Sequence, residues 1–96
     1  MVWEGGAEGL LRALLEMVPA TMRPLAESTA RDESELVAQD RGGDAVTGHD
    51  VLRGWIRTTP PEQRDGLVEV IDSLGYEPED FADELGSAEG WSEEGA

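Results

Sequence analysis

Few residues here could do chemistry. The one histidine, His49, lies in "GDAVTGHDVL" between Asp44 and Asp50, so a metal site of one imidazole and two carboxylates is the first arrangement to weigh. The same stretch has another use. Thr47 stands three residues before Asp50, the spacing of a helix capping box with Asp in place of Glu. A solvent-facing capping region is therefore the expectation, and "DRGGD" lacks the ligand spacing of a calcium loop. Neighbouring carboxylates occur at Glu33/Glu35, Glu79/Asp80 and Asp83/Glu84. An acid–base pair needs burial or a shaped cleft to shift its pKa values, and these pairs read as solvated helix faces. Ser28, Ser34, Ser73, Ser87 and Ser92 have no histidine at informative spacing, and no GxSxG or Walker-type loop is present. The chain has no cysteine, which excludes thiol nucleophiles, disulfides and zinc–thiolate or iron–sulfur ligation. No acid, base and nucleophile come together, so neither an enzyme nor a cofactor is expected.

Charge says more. Twenty-two acids face seven bases, a net charge of −15, and every base is arginine. From Asp65 to Ala96 there are eleven acids and no base. Direct binding to nucleic acid or to an anionic membrane needs Lys and Arg to displace counterions, so neither is expected. An acidic surface suits a basic protein partner, or simply solubility. The lysine-free, acid-rich balance also resembles that of proteins from salt-loving organisms. The N-terminus shows no basic region followed by an apolar run, so no signal peptide is expected, and a cytoplasmic location is the default. The longest apolar-rich stretch, Leu10 to Ala20, is too short and too charged to span a membrane.

The elements that would carry these residues are helices. Leu10, Leu11, Leu14, Leu15 and Val18 line one face of a first helix over Ala7 to Val18. Pro19 and Pro24 mark a corner, with Thr21 as N-cap and Pro24 at N3 of a second helix from about Met22 to Gln39. Its stripe is weaker: Leu25, Ala26, Thr29, Ala30, Leu36 and Val37, with a possible break at Asp32–Ser34. Gly42-Gly43 stops it. Val51, Leu52, Trp55 and Ile56 predict a short third helix, Gly48 to Arg57, with Trp55 in the core. "TTPPEQRDGLVEVIDSLGY" predicts a fourth, capped by Thr59, with Pro60 at N1, Leu67, Val70, Ile71 and Leu74 inward, and Gly75 as its end. "EPEDFADEL" predicts a fifth, with Pro78 at N1 and Phe81 and Leu85 inward. No β-hairpin signal is present. The expected fold is all-α: a small orthogonal bundle of four or five short helices over residues 3–85, followed by an acidic, flexible tail over 86–96.

Partner binding is the remaining role for conspicuous side chains. Trp3 and Trp91 flank the folded part, where aromatics either anchor an interface or fold back on their own core. Arg23 at the corner can reach the carbonyls ending the first helix, or Glu27 one turn on. Held by several carbonyls, its guanidinium would be worth about 1–3 kcal/mol. Glu79, Asp80, Asp83 and Glu84 form the acidic candidate surface.

One order of residues resembles a known family. Trp3, Ala7, Leu11, Leu14, Val18-Pro19, Arg23, Glu35, Ala38, Gly43, Val46-Thr47 and Val51 follow one another as in the small helical domain at the C-terminus of the B subunit of light-independent protochlorophyllide reductase. The resemblance covers roughly residues 3 to 53. It implies a compact helical unit that docks on, or covers a site of, a larger reductase in (bacterio)chlorophyll metabolism. In that family the iron–sulfur ligands and catalytic groups lie elsewhere in the complex, so none is carried over. The rival expectation is an acidic regulator, or nucleic-acid mimic, that binds a basic protein.

Overall fold

The computed structural model describes residues 1–86. The expected tail beyond Gly86, with Trp91, lies outside the described residues. The chain is all-α apart from one short strand pair. Its elements are β1 (Val2–Trp3), α1 (Gly5–Leu15), α2 (Arg23–Asp40), β2 (Ala45–Val46), α3 (Gly48–Arg57), α4 (Leu67–Ser73) and α5 (Ala82–Leu85), with 3₁₀ turns at Ala20–Met22, Pro61–Gly66 and Pro78–Phe81. The backbone falls into two compact units that divide between Trp55 and Ile56, within α3.

The first unit is closed by its ends. β1 pairs in parallel with β2, Val2 against Ala45 and Trp3 against Val46. The Glu4 N–H then donates to the Val46 carbonyl at 3.0 Å, as the chain turns into α1. Two residues of parallel strand leave no periodic pattern by which this pair could be read in advance. The pair brings the start of the chain beside the loop after α2. α1 buries Leu10, Leu11 and Leu14 as their spacing predicts, together with Ala7, and packs against α2. Each large aliphatic side chain so buried contributes about 1.5–3 kcal/mol. The helix ends at Leu15, short of the expected Val18, and both of those are only half-buried.

The corner differs in detail from its expectation. Pro19, extended at φ −53° and ψ 141°, precedes the 3₁₀ turn, and its carbonyl accepts from Met22 N–H at 2.9 Å. Thr21 therefore lies inside the turn and caps nothing. α2 starts at Arg23, with Pro24 early in its first turn, where the missing N–H has no helical partner to lose.

α2 is unbroken at Asp32–Ser34, and its buried face is not the one its large apolar residues suggest. Ala30, Ser34, Val37 and Ala38 are buried, while Leu25 and Leu36 are 70% and 47% exposed. A stripe of small residues faces inward because α3 comes very close: a Cβ added at Gly54 would lie 2.8 Å from both the backbone N and Oγ of Ser34. Only small side chains fit such a crossing. Ser34 satisfies its hydroxyl inside α2, donating to the Ala30 carbonyl at 2.6 Å. α2 ends as "GG" predicts. Gly42, at φ 77°, takes the left-handed position, and the N–H groups of Gly42 and Gly43 donate to the Gln39 and Ala38 carbonyls at 3.0 and 2.9 Å. On α3, Val51 and Leu52 are buried while Trp55 is only half-buried, because the turn nearest α2 presents Gly54 instead.

The second unit begins at Ile56. Thr59–Pro60 does not open a single long helix. Pro60 precedes another proline and is held extended, at φ −55° and ψ 141°, so helical geometry starts only at Pro61. Its first stretch is the 3₁₀ turn, whose tighter winding turns Arg64 inward. α4 then buries Ile71, leaves Leu67, Val70 and Leu74 half-buried, and ends at Gly75 with the same glycine motif as α2. Phe81, fully buried, meets Tyr76 edge-on at 6.5 Å between ring centres. Leu85 is half-buried.

The Gly54–Ser34 approach separates two glycine substitutions that helix propensity alone treats alike. Gly54→Ala is expected to destabilise by about 1–3 kcal/mol, because backbone atoms cannot give way. Gly9→Ala, in the open side of α1, is expected to stabilise by about 0.5–1 kcal/mol. Urea unfolding of both variants checks the opposite signs.

Candidate functional site

The most highly organised polar cluster lies where α2, β2 and α3 meet. Asp50 is fully buried. Arg41 reaches it as a fork, Nε to Oδ1 at 2.8 Å and Nη2 to Oδ2 at 2.6 Å, and Nη2 also donates to the Ala45 carbonyl at 2.9 Å. Thr47 completes the set. Its backbone N–H donates to Oδ2 at 2.8 Å and its hydroxyl at 3.1 Å, while Asp50 N–H returns a bond to Thr47 Oγ1 at 3.3 Å. This is the capping box read from the sequence, with an arginine added. Gly43 makes room for it: a Cβ there would lie 2.6 Å from the Arg41 guanidinium carbon. Burial by itself would raise the Asp50 carboxyl, but the bonds from Arg41 and Thr47 outweigh it and hold the group below its ordinary range. Arg41 is correspondingly raised, chiefly by its bond to Asp50. Asp50 is thus a committed structural ion, and Asp44 adds its charge to those that raise Arg41. Among the described residues no group of three or more His, Asp or Glu could hold a metal ion.

A second cluster gathers on Arg31. Its guanidinium lies 4.8 Å from the Trp3 ring centre, forks onto Glu8 at 2.9 and 3.2 Å, and donates through Nε to Glu27 at 3.1 Å. The Trp3 indole N–H donates to Glu35 at 2.9 Å. Trp3, an interface candidate from the sequence, therefore folds back onto α2 and is half-buried. The hydrogen bond from Arg31 lowers the Glu8 carboxyl, against the opposing effect of burial, and the bond to Glu8 raises Arg31. Beside this cluster lies a shallow cavity of about 120 Å³, floored by Leu11 and Leu15 and rimmed by Glu8, Arg12, Glu27 and Arg31.

Arg23 occupies the corner as a carbonyl clamp. Nε donates to Leu15 and Val18 carbonyls at 2.9 and 2.8 Å, and Nη2 to Glu16 at 3.3 Å. They are carbonyls at the end of α1, where the regular helical ladder stops; that of Leu15 also accepts from Val18 N–H at 3.0 Å. Arg64, unmarked by the sequence reading, does the same in the second unit. It is fully buried and donates to carbonyls of Thr59 at 2.9 Å, Glu84 at 2.9 Å and Arg57 at 3.4 Å. The sequence signal for it was available: it is the last base in an otherwise acidic half. Of the acidic candidates, Glu79, Asp80 and Asp83 are exposed, whereas Glu84 is half-buried with its carbonyl on Arg64. Trp91 lies outside the described residues.

The chain matches no family model, no curated protein and no solved structure. No helix among the described residues is long and apolar enough to cross a membrane.

Asp50→Asn is expected to cost about 1.5–3 kcal/mol at neutral pH, through loss of charge-assisted bonds. The folded-state pKa of Asp50 is depressed, so its contribution is complete above the unfolded value of about 3.9 and disappears as pH falls through the folded value. The stability gap between the native chain and Asp50→Asn should be level from about pH 5 to 8 and close below about pH 4. Urea midpoints measured across pH check this. A gap that closes near neutrality would contradict it.

Proposed function

We propose that this chain is a non-catalytic accessory module that acts by binding another protein, and that its first unit is akin to the small helical domain of the light-independent protochlorophyllide reductase B subunit. One observation carries the reading. The residues of the resembling order fall within a single compact unit, Met1–Trp55, and nearly all have a structural task there. Trp3 bonds Glu35, and Arg23 clamps the end of α1. Ala7, Leu11, Leu14, Ala38, Val46 and Val51 are buried. Gly43 closes α2 and Thr47 opens α3. A pattern made of scaffold positions specifies a fold that presents a surface, and the tightly bonded ions, Asp50, Glu8, Arg31 and Arg41, are held by one another and by helix ends.

A second reading, an acidic regulator of a basic protein, draws on the second unit. Its last base, Arg64, is turned inward, while Glu79, Asp80 and Asp83 are exposed. Charge-driven binding of this kind weakens steeply with salt.

Titration calorimetry separates the two. The full chain is titrated with a light-independent protochlorophyllide reductase B subunit lacking its own small domain, and with an arginine-rich peptide. The first reading predicts binding to the truncated subunit that persists at moderate salt. Binding confined to the peptide, and abolished by salt, would replace it with the second.

A further inference from the structure

α2 carries two apolar faces, and only one is used inside the chain. We propose that the outer face pairs with α2 of a second copy of this chain, antiparallel, to form a homodimer. This stands independently of the reductase reading.

The outer face is defined by Met22, Leu25, Thr29, Asp32, Leu36 and Gln39, all of them exposed. Their spacing alternates between three and four residues, the seam of a coiled coil. Three of the large apolar side chains most open to solvent lie on this line: Leu25 at 70%, Met22 at 57% and Leu36 at 47% exposure. Leu25 and Leu36 stand on a helix continuous over 18 residues, and Met22 stands in the 3₁₀ turn that leads into it. That gives a straight edge about 27 Å long.

The sequence of this edge says what covers it. A two-fold interface must be complementary to itself read in reverse. With the axis at the level of Ala30 and Arg31, Leu25 faces Leu36 of the partner copy, and Leu36 faces its Leu25. Thr29 faces Asp32 of the partner copy, a hydroxyl donor against a carboxylate acceptor. Met22 faces Gln39 of the partner copy. Apolar meets apolar and donor meets acceptor over the central four positions, and the polar Gln39 lies over Met22 only at the two ends. The parallel alternative sets Asp32 against Asp32 of the partner copy, two carboxylates in one seam, and is rejected by charge.

A helix pair of this length buries roughly 1,000 Å² in total, the lower limit for a specific interface. The association is therefore weak, and the charge of −15 on each copy opposes it. Salt decides the balance: the screening length falls from about 30 Å at 0.01 M to about 3 Å at 1 M.

Sedimentation equilibrium of the full chain tests this at about 0.01 M and about 1 M salt. The expected result is monomer in low salt and a monomer–dimer equilibrium in high salt. Leu25→Glu should weaken the dimer at least about tenfold without changing helical circular dichroism, since the side chain is exposed in the monomer. Thr29→Arg should tighten it at least about tenfold by facing Asp32 of the partner copy, whereas Gln63→Arg, an equal charge change on another exposed site, should not. A chain that stays monomeric at millimolar concentration in high salt would overturn the proposal. So would a dimer indifferent to Leu25→Glu, or one weakened by Thr29→Arg.

Discussion

A fully buried carboxylate, Asp50, is the constraint on which the first unit depends. An ion without water costs several kcal/mol unless its oxygens are filled by well-placed donors. Here the donors are the Arg41 fork and both donor groups of Thr47. Meeting that requirement fixes three things at once. Arg41 follows the last residue of α2, so the end of that helix is tied to the start of α3. The same guanidinium holds the Ala45 carbonyl, which places β2 where β1 can pair with it. The capping box starts α3 in the direction that brings Gly54 against Ser34. A lysine could supply the charge but not the planar, two-pronged geometry.

The same device recurs. Arg23 gathers the carbonyls at the end of α1, and Arg64 those around the end of α3 together with one from α5. Short helices leave a large share of their backbone groups without partners, and isolated they are marginal. Arginine, with five donors on a long arm, closes such ends where the local sequence offers no side-chain cap. Of the three, only Arg64 is turned fully inward, while Arg23 and Arg41 stay exposed and keep their charge at the surface.

The sequence made much of this legible, and the omissions have physical causes. The stripe of α1, the glycine stops at Gly42 and Gly75, the Thr47–Asp50 box and the Arg23 corner are local patterns, each complete within a few residues. Of the expected α2 stripe, Ala30 and Val37 point inward, but Leu25, Thr29 and Leu36 face solvent. A close crossing selects small residues, and that selection is made by Gly54, twenty residues beyond Ser34 in the chain. The same crossing leaves Trp55 half-buried. Pro60 has the φ of a helix start, but Pro61 after it forces it to stay extended. The strand pair and the Arg64–Glu84 bond join residues far apart in sequence and leave no periodic trace.

Arg41–Asp50–Thr47 can be probed at one atom. Carbon-detected NMR of the Asp50 carboxyl, followed against pH, reports its charge without reference to unfolding. The account predicts that the resonance stays at its ionised position down through the ordinary aspartate range near pH 3.9, and shifts only in more acidic solution. A carboxyl that titrates at or above that value would contradict it, since Asp50 would then be an acid tolerated by burial and not an ion held by its donors.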